Sequence, residues 1–415
     1  MNRRHFLSFF IGLGIVLLVH ITASRSEAQA NFNFTRIADT NPASGDSQIF
    51  SNLGQAVIDS GRVAFNGISG GANGIFTTSN QGPIETVIDE NNLFFSPGSS
   101  FGGLSVSGDQ IAFRSTIPGP LPSGIFVQDV ANNSLRTVVN FETPFPGDEA
   151  QDFDIIGSPS ISNGTVAFAG DDFLPPFSRH VFVEGSNGLE TVVNVSNFDA
   201  GSEVNIFAGG VIDVAIDGSD VYFSTITSRG LYVRGSDGLI TPVISGSDAE
   251  TLPLFSGISG LSVSDGNIAF DAGFSGIATI IDGQLSLPVT VDTQIPNSDD
   301  TFALLDDVAL DGENLVFFGT NTFNTNSTAG LYARIDGEIS TIFEEGDTLD
   351  GRVISDFGFN ADGFSDDQIV VTLGFSDGTQ AIFLGSVTSV PEPTAVIPVL
   401  LCLSSLIITR RRCDS

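Results

Sequence analysis

Carboxylates are the only side chains in this protein plentiful enough to do chemistry. Asp and Glu number 49 of 415 residues, against 15 basic residues, all of them Arg, and three His at His5, His20 and His180. Lys is absent, and Cys occurs only at Cys402 and Cys413. This inventory excludes a zinc cluster of Cys and His, a disulfide framework, a Cys nucleophile, a Schiff-base Lys and a P-loop Lys. Two carboxylate chemistries stay open. A glycosidase needs two acids about 5–10 Å apart, and a hard cation such as calcium needs several oxygens converging from one loop. The acidic pairs Asp171-Asp172, Asp299-Asp300, Asp306-Asp307 and Asp366-Asp367 read as loop residues. Asp217-Gly218-Ser219-Asp220 and Asp362-Gly363-Phe364-Ser365-Asp366-Asp367 are the calcium candidates. Neither follows the EF-hand order, and Asp-Gly is also a common hairpin turn, so turns are the preferred reading of both. His180 follows the insert Asp171 to Arg179 and reads as a surface loop residue rather than a base. No catalytic, cofactor or metal residue is therefore assigned, and calcium is the one cofactor kept open.

The elements that must carry these groups are repeated. A Gly-containing turn, a short apolar strand ending in Phe, a gap, and Gly-apolar-aromatic recur along the chain. The first copy is Asp59-Ser60-Gly61-Arg62-Val63-Ala64-Phe65 with Gly74-Ile75-Phe76; the sixth is Asp311-Gly312-Glu313-Asn314-Leu315-Val316-Phe317 with Gly330-Leu331-Tyr332. Measured at Phe65, Phe113, Phe168, Phe223, Phe270, Phe317 and Val371, the spacing averages 51 residues. Seven repeats thus account for residues 31–388. Each holds four β-type runs; in the first these are Gln55 to Ile58, Arg62 to Gly67, Gly74 to Thr78 and Ile84 to Ile88. Three consecutive apolar residues, as in Val-Ala-Phe, mean a strand buried on both faces, which stacked blades require. Four strands at a period near 50 predict an all-β fold, a seven-bladed β-propeller. The last repeat lacks a fourth strand, and Phe32 to Asp39 is expected to supply it by pairing antiparallel with Gln380 to Leu384. The inserts Ile117 to Pro122, Asp171 to Arg179 and Thr320 to Ala329 fall between the same two strands of their blades. They emerge on one face, either as a binding surface or as scattered insertions.

The two ends read as addresses, each with a short helix. Residues 1–30 combine Arg3-Arg4, an apolar run from Phe6 to Ile21, and an A-x-A site at Ala28 and Ala30, the three parts of a secretory signal peptide. Arg3-Arg4-His5-Phe6-Leu7 also looks like a twin-arginine motif, so Sec and Tat export both stay open. Residues 389–415 carry Pro391-Glu392-Pro393, an apolar run from Thr394 to Thr409 and Arg410-Arg411-Arg412. The run reads as a membrane-spanning helix, with the three Arg kept inside by the positive-inside rule.

This order of Pro-Glu-Pro, apolar helix and Arg cluster resembles the PEP-CTERM sorting signal of Gram-negative bacteria. The resemblance implies processing by an exosortase, a membrane-anchored precursor, and release to the cell surface or extracellular matrix. The tandem unit, closest in Asn163-Gly164-Thr165-Val166-Ala167-Phe168, resembles the NxxGxxAF repeats of bacterial surface proteins. Residues 31–388 hold 46 acidic and nine Arg residues, a net −37 that repels nucleic acid. The function expected is a non-enzymatic, exported surface or matrix repeat protein. The alternatives are a propeller that binds exopolysaccharide or a surface protein, and a carboxylate-dependent glycoside hydrolase or lyase.

Overall fold

Across the second and third strands of most repeats, one aromatic residue faces another. Phe65 is opposite Phe76, Phe113 opposite Phe126, Phe168 opposite Phe182, Phe223 opposite Tyr232, and Phe317 opposite Tyr332. In these five pairs the ring centroids lie 5.4–5.9 Å apart and the planes differ by only 19–28°. Offset pairs of this kind add to the large apolar burial of each ring. The fifth repeat substitutes Ala278 opposite Phe270, and the seventh Val371 opposite Phe383.

The structure, a computed structural model, describes residues 31–388 except 44–47, 80, 118–122, 147, 172–179, 194–210, 226–229, 245–254 and 323–327. Phe32–Val387 form one compact unit. It is a seven-bladed β-propeller, each blade an antiparallel sheet. The inner strands of blades 1 to 6 are Phe50–Asp59, Ser100–Ser107, Ser160–Ser162, Val211–Asp217, Phe255–Ser264 and Leu304–Asp311. That of blade 7 comes in two pieces, Arg352–Gly358 and Phe364–Ser365, and that of blade 3 has a short first piece, Ile155–Ile156. Successive inner strands pack against one another, the last returning to the first, around a central channel. The turn after each inner strand is tight. Ser60 and Gly61, Asn163 and Gly164, and Asp265 and Gly266 all have positive φ, as a two-residue hairpin demands.

The third-strand glycine has a steric cause. A Cβ at Gly230 or Gly330 would sit 2.7 Å from the ring of Tyr232 or Tyr332, two residues further on. At Gly124 it would fall on the Val139 carbonyl oxygen of the neighbouring strand. In blade 3 this station is His180, and the structure corrects its assignment to the surface. His180 opens the strand His180–Gly185, is 4% exposed, and meets Phe145 edge-on with centroids 5.2 Å apart. The apolar cluster around Phe145, Phe153 and Phe182 takes the imidazole in as one more ring.

Ring closure follows the expected route. The strand Asn31–Asp39 lies beside Gln380–Thr388 at the outer edge of blade 7. Thr40 N donates to the Gln380 carbonyl (2.9 Å) and Gln380 N to Thr40 Oγ1 (2.8 Å), while Phe34 lies over Gly385, so the two run antiparallel. Arg352 then clamps the strand. Its Nη1 and Nη2 donate to Asp39 Oδ1 (3.1 Å) and Oδ2 (2.8 Å), with Asp39 1% exposed. The guanidinium also lies 3.9 Å over the centre of the Phe375 ring.

Candidate functional site: the central channel

The carboxylates and hydroxyls that end the inner strands stitch the blades together. Gly108 N donates to Asp59 Oδ2 (2.7 Å), Asn163 N to Ser107 Oγ (3.0 Å) and Gly218 N to Ser162 Oγ (3.0 Å). Gly266 N donates to Asp217 Oδ2 (2.7 Å), Gly312 N to Ser264 Oγ (3.2 Å) and Asp367 N to Asp311 Oδ2 (2.9 Å). In each case the strand-end side chain of one blade accepts the turn amide of the next. A second circle lies deeper. Ile161 N donates to Ser105 Oγ (3.2 Å), Ile216 N to Ser160 Oγ (3.1 Å), Leu261 N to Asp213 Oδ2 (2.9 Å) and Leu310 N to Ser262 Oγ (3.0 Å). In the deeper circle the bonds at Ile161 and Leu310 are buried, so Ser105 and Ser262 satisfy amides that water cannot reach, whereas the outer seam bonds at Gly108, Asn163, Gly266 and Asp367 are exposed and chiefly join the blades.

Blade 7 departs from this scheme. Between the two pieces of its inner strand, Phe359–Gly363 runs through the channel. Ile58 N donates to the Asp362 carbonyl (2.8 Å), and Asn360 Nδ2 donates to the Ala56 carbonyl (2.7 Å), both bonds to blade 1. Ser262 Oγ of blade 5 donates to the Ala361 carbonyl (3.1 Å). The Asp362 carboxyl reaches past blade 1 to Ser105 of blade 2, which hydrogen-bonds it. Loss of water pushes Asp362 up to about 6; the Ser105 bond opposes this, and the carboxylates of Asp213 and Asp59 add to it. Asp362 and these inner-strand ends line a cavity of about 210 Å³. Ser107, Ser162, Asp217, Asp265 and Asp311 contribute, and among the described residues no basic side chain does.

A second acidic group lies at the seam of blades 5 and 6. Asp271 is pushed up to about 6, first by burial and then, against hydrogen bonds from Ser259 and Gly273, by Asp306 and Asp307. Asp307 is pushed to about 6 by partial loss of water and then by Asp306, although its exposure to solvent screens the effect. Asp306-Asp307 is therefore not a loop pair. Both residues belong to the inner strand of blade 6, where a bulge between Asp306 and Ala309 sets Asp307 at φ 46°. Asp171 is not a loop residue either; it ends the second strand of blade 3 and is 3% exposed. Asp299-Asp300 and Asp366-Asp367 do occupy connections.

The calcium candidates separate in the same way. Asp217 accepts the Gly266 amide and Asp220 the Ser236 amide (3.1 Å), as turn and seam residues do. Among the described residues no group of three His, Cys, Asp or Glu side chains converges as a metal site. The cleavage residues Ala28 and Ala30 and the sorting residues Pro391, Glu392, Pro393, Arg410, Arg411 and Arg412 lie outside the described residues. Among the described residues no helix is long and apolar enough to cross a membrane. Sequence reasoning missed the passage of Phe359–Gly363 through the channel and the Asp271–Asp307 seam. The second had a signal in the adjacent acids of Asp306-Asp307, but not the strand that carries them.

No protein-family model matches the chain, and no curated protein matches it. Solved structures do. An oligogalacturonate lyase in complex with manganese superposes with a TM-score of 0.50 at 12% identity, over 87% of this chain and 98% of that one. A virginiamycin B lyase from Staphylococcus aureus with quinupristin gives 0.45 at 12% identity, over 86% and 100%. A prolyl endopeptidase gives 0.49 at 13% identity, over 80% of this chain and 46% of that one. At such identities the likeness establishes the propeller fold and nothing about chemistry.

Proposed function

We propose that this chain is an exported, exosortase-sorted propeller without enzymatic activity, acting as an interaction module at the cell surface or in the extracellular matrix. One observation carries the reading: the channel acids are spent on the scaffold. Asp59, Asp217 and Asp311 accept seam amides, and Asp213 accepts that of Leu261. The channel itself holds Phe359–Gly363, and the remaining cavity of about 210 Å³ is below the range of about 300–1,000 Å³ usual for organic ligands. A cavity of about 590 Å³ does lie at the strand-end turns of blades 1 to 3, lined by polar and small residues such as Asp109, Gln110 and Asn132, but the exposed apolar groups favour the opposite end of the ring. The described strand ends on that side carry the exposed Ile49, Leu93, Phe94, Phe141, Phe274 and Leu304, while the exposed Leu239 lies in a hairpin turn at the other end. Exposed apolar groups gathered mostly at one end of the ring support a contact surface for a polysaccharide or a protein. Display of the full chain against a glycan array and against native exopolysaccharide tests this. Binding lost on Phe94→Ala with Phe141→Ala supports it; release of sugar products overturns it.

The second reading, a glycoside hydrolase or lyase, is favoured by the Asp271–Asp306–Asp307 seam, where two acids with raised proton affinity stand near a third. Product release from exopolysaccharide that disappears in both Asp271→Asn and Asp307→Asn would establish that reading in place of the first.

A further inference from the structure

The segment Phe359–Gly363 does something no other inner strand does. In blade 3 the inner strand is also interrupted, between Ile156 and Ser160, but these are four apart against three for their partners Gly170 and Ala167, a surplus of one residue. In blade 7, Gly358 and Phe364 are six positions apart, while their partners Thr372 and Ile369 are three apart on the second strand, a surplus of three residues. The surplus chain goes into the channel, where it is tied by main-chain carbonyls to blades 1 and 5 and by the Asp362 carboxyl to blade 2. We propose that Phe359–Gly363 is a pH-controlled plug of the propeller channel, seated at acid pH and loosened at neutral pH by ionisation of Asp362.

Every charged group facing that carboxyl acts in the same direction. Blade 1 presents Asp59, blade 4 Asp213 and Asp217, blade 5 Asp265 and blade 6 Asp311. Blades 2 and 3 present only hydroxyls to the cavity, Ser105 and Ser107 from one and Ser160 and Ser162 from the other. Among the described residues no Arg or His lines the cavity to offset a new negative charge. A neutral Asp362 can keep its Ser105 bond without opposing these acids. An ionised one keeps that bond but repels Asp59 and Asp213 across the acid-lined channel. The bonds at risk are the amides of Ile58 and Val370, which donate to the carbonyls of Asp362 (2.8 Å) and Gly363 (2.9 Å).

Those amides also read the plug. Residue-resolved hydrogen exchange on the full chain, corrected for the intrinsic pH dependence of exchange, measures their protection across the weakly acid to neutral range. Protection of Ile58 and Val370 is expected to fall by about ten-fold or more as pH rises, with a midpoint near the Asp362 value of about 6. The amides of Val166 and Phe168 in blade 3 should hold theirs. Asp362→Asn keeps an acceptor for Ser105 but cannot ionise, and should keep Ile58 and Val370 protected throughout. If that variant does not fold, Asp59→Asn, which keeps an acceptor for Gly108 N, should raise protection at neutral pH. A pH-independent wild-type profile overturns the proposal. So does a wild-type fall that persists in Asp362→Asn, or a profile that Asp59→Asn leaves unmoved.

Discussion

Gly124 and Gly102 differ in what a methyl group would meet. At Gly124 a Cβ would collide with the Val139 carbonyl of the paired strand, whereas at Gly102 it meets nothing within 4 Å. Neither residue has a positive φ, so the contrast is steric rather than conformational. Gly124→Ala should cost about 1–3 kcal/mol, as overpacking does, and Gly102→Ala should stay within about 0.5 kcal/mol. Urea melts of the two variants check this; equal losses would refute the steric account of the Gly-apolar-aromatic motif. Asp39 makes a different case. It is 1% exposed and forms a two-point pair with Arg352, which is itself 10% exposed at its side chain. Asp39→Ala leaves a buried guanidinium without its carboxylate and should cost about 3–5 kcal/mol. Arg352 retains Thr379 Oγ1 at 3.0 Å and the Phe375 ring, which hold it in place in the variant. A thermal melt unchanged by Asp39→Ala would show that the pair contributes nothing to closure.

At the scale of elements, the closing strand is the one piece without which a blade stays incomplete. Deleting residues 31–40 removes Asp39, the Phe34 contact with Phe343 (centroids 4.5 Å apart) and the outer partner of Gln380–Thr388. The exposed edge that results is a site for pairing with other chains. The deletion should lower the melting temperature sharply and promote aggregation; an unchanged melt refutes closure. This strand was legible in the sequence because a missing fourth run in one repeat and a spare run before the first are complementary deficits. The Val-Ala-Phe runs were legible because burial on both faces leaves no room for polar alternation. The plug was not. Phe359-Asn360-Ala361-Asp362-Gly363 has the composition of a surface turn, and only ring closure turns it inward. The seam acceptors were hidden for a related reason. Asp and Ser before a glycine suit a hairpin turn equally well, so their second task, accepting an amide from the next blade, leaves no separate mark. His180 misled because its polarity pointed to the surface, whereas the neighbouring Phe145 and Phe182 offer a ring-lined slot.

For the whole molecule, the acids with raised proton affinity set how stability depends on pH. Asp271, Asp307 and Asp362 are each pushed up to about 6, and Asp213 is raised by burial. A carboxyl whose folded value exceeds its unfolded one binds its proton more tightly in the fold. Its stabilising contribution is full below about 3.9, the unfolded value, and is lost as pH rises through the folded value. Asp129 and Asp377 are lowered by hydrogen bonds from Asn132 and Thr379 and act the opposite way, but only as pH falls below the ordinary carboxylate range. Between these limits the raised group governs, and stability should fall as pH rises from about 4.5 to 7. After allowance for solvent screening, Asp271 and Asp362 each contribute roughly 1 kcal/mol across that window, and the exposed Asp307 less. Self-repulsion of a body with net charge −37 adds to the trend, because protonation relieves it most in the compact state. The melting temperature should therefore be several degrees higher near pH 5 than near pH 7.5, and the difference should shrink in a triple Asp271→Asn, Asp307→Asn, Asp362→Asn variant. Added salt distinguishes the two sources, since it screens the diffuse surface repulsion far more than the buried acids. A slope that persists in high salt and disappears in the triple variant assigns the dependence to these three residues. A slope abolished by salt alone assigns it to the surface.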